Sequence, residues 1–101
     1  MEQIPSQEAL PTKEVIIERI RGEGKTEEVI LLIKTWYEAM RKSENSGLDT
    51  ARTQVELADF YIELGDIEDA IETLNDAMYM AKQEGDEELY LFAESKLDSL
   101  G

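Results

Sequence analysis

ARTQVELADFYIELGDIEDAIETLNDAMYMAKQE, residues 51–84, alternates small and bulky apolar residues at helical spacing. Leu57, Ala58 and Tyr61 lie ahead of Gly65, and Ile67, Ala70, Leu74 and Ala77 follow it, so two apolar stripes of helical period meet across one glycine. A glycine just past a helix end takes up the left-handed conformation without steric cost, so the stretch reads as two helices folded back on one another. Backbones that approach closely need small side chains between them. The spacing therefore predicts a helical hairpin with the methyl groups of Ala58, Ala70 and Ala77 inside.

Outward from this pair, the six glycines (Gly22, Gly24, Gly47, Gly65, Gly85 and Gly101) all stand where a helix is expected to stop, which divides the chain into five helical segments. The first starts at Thr12 behind Pro11 and carries Ile16, Ile17 and Ile20 on one stripe. Thr26 opens the second, with Glu27 and Glu28 at the positive end of the helix dipole and Val29, Leu32, Ile33, Trp36, Ala39 and Met40 at helical spacing as far as Ser43. The third is expected from Asp49 and carries Val55, Ala58, Tyr61, Ile62 and Leu64. Asp66 is the expected cap of the fourth, whose stripe ends near Gln83, and Asp86 that of the fifth, with Leu89, Tyr90, Phe92, Ala93, Leu97 and Leu100. No segment has the period-two alternation of an exposed strand, so the expected fold is all-α. Residues 1–11, with Pro5 and Pro11, have too little periodic apolar content for a further helix and are expected to form a flexible arm, leaving residues 12–101 as a single helical domain.

With 101 residues, 42% of them hydrophobic, the chain is expected to build one core and to bury roughly 60–70% of its unfolded surface. The absence of cysteine and histidine removes disulfides, thiolate chemistry, the usual zinc ligand and the usual general base near neutral pH. Ten Lys and Arg against 24 Asp and Glu leave a net charge of -14, which disfavours nucleic acid and anionic membranes and favours basic or neutral partners. No apolar run reaches the ~20 residues of a membrane span, and Met1–Leu10 lack the pattern of a signal peptide, so the whole chain is expected to work in the cytoplasm.

Three clusters could carry chemistry. Gly24-Lys25-Thr26 matches the end of a phosphate-binding loop, but Arg19 occupies the place of the required first glycine and no strand precedes it, so a turn and a helix cap are expected instead. Asp66, Glu68 and Asp69, like Glu84, Asp86, Glu87 and Glu88, are hard oxygen ligands without the spacing of a calcium loop, and they suit helix N-termini. No nucleophile or oxyanion hole accompanies them. No catalytic residue, metal site or cofactor is expected. Trp36 and Tyr61 are expected in the core, while Tyr37, Phe60, Tyr79, Tyr90 and Phe92 fall beside the main stripes.

A repeat should have a second copy. Shifted by 38 positions, Ile67, Ala70, Ile71, Leu74, Ala77, Met78 and Gly85 fall on Val29, Leu32, Ile33, Trp36, Ala39, Met40 and Gly47; shifted by 41, Leu57, Ala58 and Tyr61 fall on Ile16, Ile17 and Ile20. Residues 51–84 resemble the tetratricopeptide repeat (TPR), a unit of about 34 residues with a Leu, a small residue, an aromatic and later small residues at these places. Residues 12–47 resemble it less closely. The lengthened tail, Ala77 to Asp86, is similar to the long-helix variants of the family; Lys82 stands for the family's late Pro, Gln54 for its Trp, and Ile17 and Asp98 for its small residue.

The resemblance implies two antiparallel hairpins and a C-terminal capping helix in a right-handed superhelical stack. It also implies a non-enzymatic adaptor or scaffold that binds a peptide or protein segment in a groove lined by the first, third and fifth helices. The groove positions are Glu14, Glu18 and Arg21, then Arg52, Val55, Asp59 and Ile62, then Phe92, Ser95 and Ser99. Val55 and Asp59 in the middle unit argue against a clamp for a C-terminal carboxylate, so the expected partner has apolar anchors and basic residues. Two alternatives are a homodimer that pairs its uncovered first and last helices, and a small acidic chaperone for a secreted or basic polypeptide.

Overall fold

A computed structural model describes residues 11–100, which form five α-helices and, among the described residues, no strand. They are α1 (Lys13–Glu23), α2 (Glu27–Lys42), α3 (Gly47–Leu64), α4 (Ile67–Glu84) and α5 (Glu87–Leu100). The expected arm lies, except for Pro11, outside the described residues, as does Gly101. No described helix is long and apolar enough to cross a membrane.

Local chemistry sets most boundaries. The hydroxyls of Thr12 and Thr26 accept from the amides of Val15 and Val29, and the Asp86 carboxylate accepts from the Leu89 amide at 3.0 Å, as expected for N-caps. Three expectations need correction. Gly22 lies inside α1, which runs on to Glu23 before Gly24 turns the chain at φ 79°. Gly47 starts a helix rather than ending one: Ser46 is the cap, its hydroxyl accepting from the Asp49 amide, so α3 begins two residues before the expected Asp49. Asp66 occupies the N-cap position of α4 but makes no capping bond. Its backbone, at φ -86° and ψ 70°, is outside the extended conformation that aims a capping side chain at the first amides, and its carboxylate accepts from Lys25 instead.

The glycines thus separate into two kinds, with opposite expected responses to alanine. Gly65 ends α3 at φ 84°, so Gly65→Ala should cost about 1 kcal/mol through left-handed strain. Gly22 is helical with open space around it, so Gly22→Ala should stabilise by roughly 0.5–1 kcal/mol. Paired urea titrations followed by circular dichroism read both signs.

Two apolar clusters meet along α3. Ile16 and Ile20 of α1 and Val29, Ile33 and Trp36 of α2 pack with Leu57 and Phe60; Val55 and Ala58 pack with Leu74 and Ala77 of α4 and Ala93 of α5. Ala58, Ala70 and Ala77 are all fully buried, as their spacing predicts. Contact is most extensive between α3 and α4, next between α4 and α5, and sparse among α1, α2 and α3. Alanine methyls let the α3 and α4 backbones come close. Ile17, half-buried in α1, is bulkier than the matching Ala58, in keeping with the sparser contact of α1 with its neighbours. At the turn, Gly65 and Asp66 join α3 to α4; at the other end, the Glu84 carboxylate of α4 lies against Gly47, the first residue of α3.

Candidate interaction surfaces

The groove positions lie on α1, α3 and α5, and Asp59 links the three. Lys13 Nζ of α1 donates to one of its carboxylate oxygens, and Lys96 Nζ of α5 donates to the other at 3.0 Å. Lys96 also stands 5.0 Å from the centroid of the Phe92 ring. Arg21 of α1 forms a two-pronged pair with Glu63 of α3, Nε to Oε1 at 3.0 Å and Nη2 to Oε2 at 2.9 Å. One carboxylate held by two ammonium groups braces the face rather than waiting for a ligand.

The other expected positions fare unevenly. Glu14, Glu18, Arg21, Arg52, Phe92, Ser95 and Ser99 are exposed, and Ile62 is half-buried. Val55 is a correction: at 3% exposure it belongs to the α3–α4–α5 core, because it lies one turn before Ala58 on the side of α3 that faces that cluster. The face includes a recess of about 360 Å³ between α3 and α5, lined by Arg52, Asp86, Glu88, Leu89 and Phe92. Arg52 reaches Asp49 at 3.8 Å and Asp86 at 3.9 Å, both too long for hydrogen bonds, so its guanidinium keeps donors to spare.

The Arg21 hydrogen bonds hold the Glu63 carboxyl below its ordinary value. A carboxyl whose pKa falls on folding contributes stability above its unfolded value, and that contribution is lost as pH falls through the lower folded value. The stability difference between the wild type and Arg21→Gln should therefore shrink steadily from about pH 6 to about pH 3 in urea titrations.

A second surface lies between α2 and α3. The run Val29-Ile30-Leu31-Leu32-Ile33 makes α2 apolar over more of its circumference than α1 and α3 cover, which leaves Ile30 40% and Leu31 62% exposed. Ile30, Ile33, Lys34 and Tyr37 of α2 form one wall of a groove of about 370 Å³. Its floor is Leu57, Tyr61 and Leu64 of α3. The Tyr37 hydroxyl accepts from Gln54 at 3.0 Å and Arg41 at 2.9 Å, which fixes the ring. Burial, and then the negative field of Asp69 with smaller contributions from Tyr37, Asp66 and Glu72, raise the Tyr61 phenol above its ordinary value. The Asp66 amide donates to the Tyr61 carbonyl at 2.9 Å, so α4 starts beside the groove floor, with Asp69 in its first turn and Glu72 in the next. The expected stripe of α2 passes over this surface because it leaves out Ile30 and Leu31. Those two surplus aliphatic residues are the signal in the sequence.

Gly24-Lys25-Thr26 forms a turn and a cap, and Lys25 pairs with Asp66 at 2.9 Å. No group of three or more metal-ligating side chains converges among the described residues. No protein-family model, curated protein or solved structure matches the chain.

Proposed function

We propose that this chain is a non-enzymatic protein-interaction module of TPR-like architecture that works in the cytoplasm. In this reading α1–α2 and α3–α4 are antiparallel hairpins, and α5 caps a right-handed stack. The module binds a peptide or protein segment across the face of α1, α3 and α5. The observation that carries this reading is the recess at Arg52 and Phe92, where an aromatic ring 53% exposed and an under-used guanidinium stand side by side on a face braced by ion pairs. A partner segment would bring an apolar side chain to Phe92 and Leu89 and a basic one to Asp86 and Glu88. The closure of the α3–α4 pair at both ends supports the hairpin, and the small residues between its helices support the family likeness.

The double variant Arg52→Glu/Phe92→Ala tests it by affinity capture from the native source with mass-spectrometric identification. The partner held by the wild type should be lost while helicity by circular dichroism stays the same. Undiminished capture would refute the assignment. A second reading, a homodimer, is favoured by Val15 and Leu91, 47% and 52% exposed on the first and last helices. Sedimentation equilibrium separates the two, since this reading requires dimers at micromolar concentration.

A further inference from the structure

We propose that the groove between α2 and α3 is a second docking site, distinct from the face of α1, α3 and α5, and that it takes a basic amphipathic helix. The floor from Leu57 to Leu64 spans two helical turns, about 10 Å, which suits a helix presenting apolar anchors at i, i+3 or i+4, and i+7. Ile33 and Leu57 are 7% and 8% exposed and the Tyr37 ring is fixed by two hydrogen bonds, so this surface is set before a partner arrives.

Charge chooses the partner. Asp69, Glu72 and Asp76 recur at i, i+3 and i+7, which places them along one flank of α4, and all three are exposed. None of them is in an ion pair with a cation among the described residues. The α2 wall carries the cation Lys34. A bound helix therefore sets its Lys and Arg flank against α4 and its apolar stripe against Leu57, Tyr61 and Ile30, in one orientation. An acidic segment would meet the carboxylate row and a chain of net charge -14, and it would be repelled.

The test uses a fluorescein-labelled Leu/Lys amphipathic helix of about 18 residues, titrated by anisotropy at about 0.15 M salt, where surface charges are screened beyond about 8 Å. Ile30→Glu, at a side chain 40% exposed, makes the protein more negative, so diffuse attraction to the peptide would rise. Docking in the groove instead predicts weakening of about tenfold or more. Asp69→Asn/Glu72→Gln/Asp76→Asn, which leaves the apolar surface intact, should weaken binding and flatten its salt dependence. Ile71→Ala, at an exposed side chain of α4 that lines neither surface, should leave binding unchanged, and because the proposed function is tested at Arg52 and Phe92, failure here and failure there are read separately. Equal or tighter binding by Ile30→Glu would overturn the proposal in favour of non-specific charge attraction. A wild-type dimer that Ile30→Glu dissociates would overturn it in favour of a second copy as the occupant.

Discussion

Phe60→Ala should lower the unfolding free energy by about 3–5 kcal/mol, the range for truncating a fully buried aromatic side chain. Phe60 meets Trp36 edge to face, with ring centroids 4.9 Å apart at 89°, so the change removes a core ring and opens a cavity where α1 and α2 attach to α3. Small domains have about 5–15 kcal/mol in total, so this variant should be partly unfolded in mild urea. Phe92→Ala should stay within about 0.5 kcal/mol, because that ring is half in solvent. Urea titrations followed by circular dichroism measure both. A loss at Phe60 no larger than that at Phe92 would mean the α1–α2–α3 cluster does not hold the fold together.

The second large effect is expected from overfilling. Ala77→Leu should destabilise by about 1–3 kcal/mol or more, since the methyl of Ala77 is fully buried where α4 packs on α3 and α5. Ala39 is its counterpart 38 residues earlier but is only half-buried, so Ala39→Leu should cost about 0.5 kcal/mol or less. The same titrations compare the pair. Equal costs would show that position in the repeat, and not the neighbours each helix has acquired, sets how tightly an alanine is held.

That contrast runs through the whole repeat. Val29 and Ile33 are buried on α2, whereas their counterparts Ile67 and Ile71 are 37% and 36% exposed on α4. Leu32 is half-buried while Ala70 is fully buried. Gly85 ends α4 in the left-handed region, while its counterpart Gly47 begins α3. The residue types repeat, but the buried arc on the helix surface is rotated. The cause is neighbourhood: α4 lies between α3 and α5, whereas α2 packs sparsely on α1 and α3. Phe60 belongs to the same class of surprise. It falls beside the α3 stripe read as a single hairpin, yet it is buried because α3 serves two clusters and needs two apolar sides.

The candidate face was legible in part. Helical spacing alone puts Arg52, Asp59 and Phe92 on the outer sides of their helices, but nothing in the spacing shows that Asp59 is shared by Lys13 and Lys96, 46 residues before it and 37 after. Ion pairs between distant segments depend on how helices are stacked, and one-dimensional periodicity contains no such information.

The five helices and the burial of Ala58, Ala70 and Ala77 follow from the linear order of residues, because capping, glycine placement and helical period act over a few neighbouring positions. Which side of each helix faces solvent, the bracing of α1 to α5 through Asp59, and the open groove beside Ile30 arise only when the helices pack. Burial is a property of neighbours brought together from far along the chain. α2 and α4 repeat the same residue types, so it was their different surroundings that gave them different faces.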